Sequence, residues 1–197
     1  MKDSASIKKV LVTGSEGFIA KNLIQKLNEI GSYSIITFSK SQTIDELEQL
    51  VHDSDFIVHL AGENRPKNSQ DFDINNIQLT KNICNLITAQ DRDIPIVFSS
   101  STQALSDTEY GKSKLKAEEC ITDMLKETDR SGAIFRLPGV FGKWCKPNYN
   151  SVVATFCFNI ANDKEVFVSD PENKVTLCYI DDLVLDLIES IDQKDDG

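Results

Sequence analysis

A tyrosine and a lysine stand four residues apart in Tyr110-Gly-Lys-Ser-Lys114, which on a helix sets a phenol and an ammonium on one face. Three serines, Ser99-Ser100-Ser101, end the apolar stretch just upstream. Near the start, Gly14-Ser-Glu-Gly17-Phe18-Ile19-Ala20 separates a β-branched run, Ile7 to Thr13, from a helical pattern. A glycine turn between strand and helix is where backbone N–H groups cradle a dinucleotide pyrophosphate. Gly14 allows the tight turn, Gly17 lets the pyrophosphate approach, and small Ala20 lets the helix pack closely. By itself the turn also fits a ligand-free βα connection, and a Tyr–Lys spacing of this kind arises readily by chance. Position raises both signals. In an open α/β sheet ligands bind at the carboxyl ends of the strands, and Gly14, His59-Leu60-Ala61-Gly62 and Ser99 to Ser101 gather on that edge.

The elements that would carry these residues follow from hydrophobic spacing. Strands are predicted over 33–38, 55–60, 94–99 and 133–137, and helices over 18–30, 43–52, 75–89 and 109–126. This alternation, with no hairpin signals, predicts an α/β fold: a doubly wound parallel sheet of the Rossmann type. Beyond Gly142 the pattern changes to a polar-aromatic loop, Lys143 to Asn150. A helix over 152–162, a strand over 165–168, a turn at Asp170-Pro171, a strand to Tyr179 and a helix from Asp182 are expected after it. A soft boundary falls near residue 143, and the acidic end from Asp192 reads as a solvated tail.

Composition bounds the function. The 197 residues carry 21 Lys+Arg against 31 Asp+Glu, a formal net charge of −10. Such a surface repels phosphate backbones and anionic headgroups, so neither nucleic acid nor a membrane is an expected partner. The longest apolar clusters, such as Val152 to Phe158, fall far short of the roughly 18 residues of a membrane span. Met1 to Val10 has no apolar signal core, and a cytoplasmic location is expected. The five cysteines contain no C-x-x-C pair and only His52 and His59 could join them, so no metal site is expected.

Six motifs occur in register: the Thr13-Gly14 turn, His59 to Gly62, the serines, Tyr110-x-x-x-Lys114, Arg136-Leu137-Pro138-Gly139-Val-Phe-Gly142 and Tyr179-Ile-Asp-Asp182. In that order they resemble the extended short-chain dehydrogenase/reductases that act on nucleotide sugars. Glu63-Asn64-Arg65-Pro66 and the stretch from Phe141 to Phe156 are similar to the subgroup that reduces a UDP-4-keto-6-deoxy-hexosamine in capsular polysaccharide synthesis. Members of that subgroup usually carry a C-terminal cupin domain with a separate epimerase activity; the resemblance implies a dinucleotide-binding domain, 1–142, a small, abbreviated substrate-binding lobe, 143–197, a separate cupin partner and a homodimer.

The resemblance implies that Tyr110 gives a proton to the substrate carbonyl oxygen, that Lys114 lowers the phenol's pKa and holds the nicotinamide ribose, and that Ser101 polarises the carbonyl. The residue-level alternative for Ser101 is a local side-chain bond at the strand end. Gly14, Gly17, Phe18, Ile19, Leu60, Ala61, Gly62, Ser99, Leu137 and Pro138 would line the cofactor. At the end of the second strand an acidic residue would bond the ribose of NAD, and a basic one accommodates the 2′-phosphate of NADP. Here stand Ser39 and Lys40, with no acid before Asp45, which predicts NADPH; an ordinary exposed lysine is the alternative. Asn64, Arg65, Gly139, Lys143, Lys146, Asn148 and Asn150 are the candidate contacts to a UDP-sugar, the lysines as point charges for a diphosphate.

The chain also departs from the common pattern. Only Thr102 to Glu109 separate the serines from Tyr110, the usual third strand with its acidic contact to adenine is missing between Phe38 and Asp55, and Gly139 and Phe141 replace an Asn and a Tyr. An epimerase or dehydratase with tightly held NAD is a second reading. Dehydratases of this kind place an Asp-Glu pair beside the serine, whereas Thr102-Gln103 follow Ser101. A non-catalytic dinucleotide sensor is a third, for which the Tyr110/Lys114 pair would have no use.

Overall fold

The computed structural model describes residues 7–168 and 170–193. The acidic tail beyond Gln193 and the extreme N-terminus expected to lack a signal core lie outside them. Five strands, β1 (Lys8–Thr13), β2 (Tyr33–Phe38), β3 (Phe56–His59), β4 (Ile96–Ser101) and β5 (Gly132–Leu137), form one sheet in the order β2-β1-β3-β4-β5. Every pairing is parallel. All carboxyl ends therefore fall on one edge.

Alternate side chains of each strand enter different cores. Val10, Val12, Val58 and Val97 face the layer of α1 (Phe18–Ile30) and α7 (Ile180–Asp192). Leu11, Ile57, Ile96 and Phe98 face the layer of α2 (Ile44–Asp53), α4 (Leu79–Thr88) and α5 (Glu109–Thr128). Val10, Leu11 and Val12 are all fully buried, which is why the strands read as continuous apolar runs rather than alternating ones. This is the doubly wound sheet that the sequence predicts. β2 forms one edge and the chain passes through α2 straight to β3, so no strand lies between Phe38 and Asp55, in keeping with the short sequence there.

The helix predicted over 75–89 starts earlier, as a short α3 (Gln70–Phe72), and winds as a π-helix over Asp73–Gln78 before α4. The wide turn carries Asn76, 2% exposed, against the loop after β3. Asn76 accepts from the Glu63 N–H (2.7 Å) and donates to the Glu63 carbonyl (2.9 Å) and the Ser113 hydroxyl (2.9 Å).

Past β5, β6 (Gly139–Phe141) pairs in parallel with β7 (Leu177–Tyr179), and α6 (Val152–Ala161) lies between them in sequence. α7, within the segment assigned to the lobe, packs on α1 and the main sheet, where Leu183, Leu187 and Ile191 are buried. The strand expected over 165–168 does not form. Val166, Phe167 and Val168 are exposed, and no neighbouring strand pairs with their backbone.

Candidate functional site

The edge where the strands end opens into a cleft of about 1460 Å³. That exceeds the few hundred to about 1,000 Å³ of a pocket for one small ligand and leaves room for two lying end to end.

One wall is the β1–α1 turn. Gly14 has φ +66°, and a methyl group there would meet the Ala61 backbone at 2.7 and 2.8 Å. The turn is thus pressed against the Leu60-Ala61-Gly62 segment, where the Ala61 N–H donates to the Thr13 hydroxyl (3.1 Å). Gly17 is the N-cap of α1 and offers no side-chain cap, and the first turn holds no acidic residue. The first N–H groups of the helix are left for an anion, the arrangement that suits a dinucleotide pyrophosphate.

The floor is built on His59, which is fully buried. Its Nδ1 lies 2.7 Å from the Thr13 hydroxyl and its Nε2 2.9 Å from that of Thr80. Thr80 spends its own hydrogen on the Asn76 carbonyl (2.6 Å), so Nε2 carries the proton and Nδ1 accepts from Thr13. Burial, and then the Lys114 charge, push the His59 pKa down to about 3, so the ring stays neutral.

Tyr110, Ser101 and Lys114 line the same cleft. Ser101 ends β4, and the chain turns through one 3-10 turn, Thr102–Leu105, into α5. Thr108 caps α5 by accepting from the Gly111 N–H (3.0 Å). Gly111 lets the turns touch, since a methyl group there would lie 2.3 Å from the Gln103 carbonyl oxygen. That close contact is how a short insert still brings Tyr110 back to Ser101. The Ser101 hydroxyl accepts from the Gln103 N–H (3.1 Å), so the local bond considered as its alternative role is made. It also interacts with the Tyr110 phenol and favours its ionised form.

Lys114, 4% exposed, donates to the Ser99 carbonyl (2.7 Å) and lies 4.4 Å from the Phe98 ring centroid. Burial pulls its pKa down to about 8, against the pull of Glu118. A net lowering of the Tyr110 pKa is not what the structure gives: burial, the largest effect, raises the phenol above its ordinary value against the Ser101 hydrogen bond, while one of the three Lys114 N–H groups is given to the Ser99 carbonyl. At neutral pH Tyr110 holds its proton.

Gly14, Gly17, Phe18, Ile19, Leu60, Gly62, Ser99, Ser101, Tyr110, Lys114, Leu137, Pro138, Gly139, Asn64, Arg65, Lys146, Asn148 and Asn150 all line this cleft. Ala61 contributes backbone beneath Gly14. Ser39 and Lys40 lie outside the lining, at the end of β2, where Lys40 pairs with Glu63 (2.6 Å). Lys143 is turned away: it donates to Gln25 on α1 (2.7 Å) and stacks on Trp144 (4.1 Å to the ring centroid). Sequence reasoning passed over Glu63 and Tyr149. Tyr149 lines the cleft under the Arg65 guanidinium, 5.6 Å from its ring centroid, and its phenol acts electrostatically on Tyr110.

A model of the NAD dependent epimerase/dehydratase family matches residues 10–197. The chain belongs to that family. It is 43% identical over 186 residues, 94% of this chain and 50% of the relative, to a Pseudomonas aeruginosa protein named UDP-2-acetamido-2,6-beta-L-arabino-hexul-4-ose reductase. Among solved structures, the capsular polysaccharide assembling protein CapF from Staphylococcus aureus superposes with a TM-score of 0.81 at 37% identity, over 93% of this chain and 48% of that one. The chain thus spans about half the length of either relative. A UDP-glucuronic acid 4-epimerase from Bacillus cereus, solved with UDP-glucuronic acid and NAD, shares the fold at 20% identity (TM-score 0.82, 94% of this chain, 74% of that one). In this family member the cleft, the glycine turn and the Tyr110–Lys114 helix occupy one edge of one sheet. No helix among the described residues is long and apolar enough to cross a membrane.

Proposed function

We propose that this chain carries the reductase activity of its relatives: reduction, with NADPH, of the 4-keto group of a UDP-linked 2-acetamido-2,6-dideoxy sugar. The observation that carries the reading is the convergence of Tyr110, Ser101 and Lys114 in a two-ligand cleft facing an uncapped helix start. The likeness to a named 4-ulose reductase supplies the substrate class. Residues 1–142 would hold the dinucleotide, and part of 143–197 would contact the sugar.

The glycine turn and the α1 N-terminus fit the pyrophosphate, and Leu137 and Pro138 the nicotinamide end, where the cofactor supplies a hydride. Tyr110, kept protonated by burial, gives its proton to the carbonyl oxygen. Ser101 donates its one hydroxyl hydrogen to the same oxygen, and can turn it to the tyrosinate once that oxygen is protonated. Lys114 adds positive charge to the same cleft and holds the ribose hydroxyls. Arg65, Lys146, Asn148 and Asn150 hold the diphosphate and sugar.

The test is Tyr110→Phe, followed as NADPH oxidation with UDP- and dTDP-4-keto-6-deoxy sugars. Turnover should fall by about 10²–10⁴-fold, the usual share of a positioned proton donor, while NADPH binding is kept. Undiminished turnover overturns the assignment. Product formed with no net NADPH consumption would instead favour an epimerase or dehydratase with bound NAD.

A further inference from the structure

Lys114 is buried, yet its proposed role needs it charged. Among the described residues its Nζ has one hydrogen-bond acceptor, the Ser99 carbonyl, and a neutral carbonyl and the Phe98 ring do not balance a full charge. One turn along α5, on the same face, stands Glu118, 5% exposed. From β5 the Arg136 guanidinium grips both its oxygens: Nε donates to Oε1 (3.0 Å) and Oε2 (3.1 Å), and Nη2 to Oε2 (2.6 Å). Ser100, on β4, is the register partner of Arg136 on β5. Its buried hydroxyl is near enough to Glu118 to lower the carboxyl pKa, though outside hydrogen-bonding geometry.

We propose that Glu118 and Arg136 are a positioning pair, in which Glu118 supplies the counter-charge that keeps Lys114 an ammonium and Arg136 fixes that carboxylate in place. The inference rests on the reading of Lys114 as part of the catalytic site. Around the ammonium stand Glu118 and Tyr110 on its own helix, neutral His59 on β3, the uncharged Asn76 on the π-helical turn and, behind Glu118, Arg136 on β5. Glu118 is thus the anion facing Lys114 among the described residues. Burial works against the Glu118 charge, but Arg136 first, then Ser100 and Lys114, hold its carboxyl below the usual range. Burial lowers the Lys114 pKa and Glu118 opposes that fall.

The experiment is a pH titration of the lysine 13Cε resonances in the full chain, with Lys114 assigned by its loss in Lys114→Met. Glu118→Gln should lower the Lys114 midpoint by about one pH unit, the low end of what an adjacent opposite charge does. Glu118→Asp, which keeps the charge, should stay near the parent. Glu118→Gln with Arg136→Met does not leave the Arg136 guanidinium orphaned against a neutral amide, so it should fold even if the single variant does not. Its midpoint should fall between parent and Glu118→Gln, because the repulsion from Arg136 is gone as well. In the active enzyme the alkaline limb of kcat/KM should move to lower pH by the same amount. A midpoint that is unmoved or rises in the folded glutamine variants overturns the pairing, even if Tyr110→Phe is inactive. Full turnover in Lys114→Met with the midpoint order intact would overturn the catalytic reading of Lys114 and leave the pairing standing.

Discussion

Gly14→Ala separates two costs that the glycine turn avoids, and a second glycine in the same chain acts as its control. Gly14 has φ +66° and Gly31, at the C-terminus of α1, φ +75°, so alanine pays the left-handed penalty of about 1–2 kcal/mol at both. At Gly31 the added methyl group meets nothing nearer than the Asn28 carbonyl at 4.0 Å. At Gly14 it meets Ala61 Cα at 2.7 Å, Ala61 N at 2.8 Å and the Leu60 carbonyl carbon at 3.0 Å. Those atoms are backbone, held by the β1–β3 pairing and by the Thr13 bond to Ala61, so none can swing aside. Overpacking of this kind adds about 1–3 kcal/mol. The sum is about 2–5 kcal/mol at Gly14 against about 1–2 at Gly31. For a domain of this size, at about 2–4 °C per kcal/mol, Gly14→Ala should melt roughly 4–20 °C below the parent, and Gly31→Ala roughly 2–8 °C below it. Thermal unfolding followed by circular dichroism reads both. If the two variants melt together, the close approach of the turn to Ala61 is not what the sequence needs glycine for, and the account of that wall of the cleft fails.

Two further outcomes follow from charges. Because the His59 pKa falls from 6.5 to about 3 on folding, the unfolded chain takes up the extra proton, and the stability owed to neutral His59 is whole above pH 6.5 and lost as the pH falls towards 3. At pH 5 the loss is about 2 kcal/mol, and denaturant unfolding at pH 5 and 7 should show a smaller difference in His59→Gln; an equal difference would mean that His59 is not the group responsible. Lys40→Ala should weaken NADPH binding about ten-fold, about 1.4 kcal/mol, and leave NADH unchanged in calorimetric titration, while Glu63→Gln, by releasing Lys40, should tighten NADPH. Equal weakening of both cofactors by Lys40→Ala would refute a 2′-phosphate role.

The parts of the fold legible in the sequence are those fixed by local pattern. Val10 to Val12, Phe56 to Val58 and Ile96 to Phe98 are apolar runs because both faces of the sheet are covered, and helices with one apolar stripe must lie between them. What escaped depends on distant neighbours. Val166 to Val168 has strand composition, but a strand exists only where another edge pairs with it. The π-helical turn keeps the apolar spacing of an α-helix closely enough to hide, although it aims Asn76. At the site, Tyr110, Lys114 and the glycine turn were legible through spacing and order. The direction of the Tyr110 pKa shift was not, because it is set first by burial, which no local spacing reveals. Lys143 reads as a phosphate contact by type, but its rotamer takes it to Gln25. Glu118 did carry a signal, since it follows Lys114 at the same four-residue interval by which Lys114 follows Tyr110.

The net charge of −10 also takes on a more local meaning. Lys21, Arg65, Lys114 and Lys146 line the cleft against only Glu16 and Glu63, and Glu63 already pairs with Lys40. The sign is therefore inverted inside the cleft relative to the whole chain. Outside it, acidic side chains act on an approaching ligand through water, where fields fade over about 8–10 Å at ordinary salt; inside, charges face the ligand across partly desolvated space. A long polyanion must lie along the exterior and is repelled there. A compact diphosphate can enter the cleft and meet lysines, an arginine and the bare N–H groups of α1 before that repulsion matters. An acidic chain can thus repel a long polyanion and still offer compact anions a positive cleft, as the proposed function requires, provided the cations are few and concentrated at one edge of the sheet.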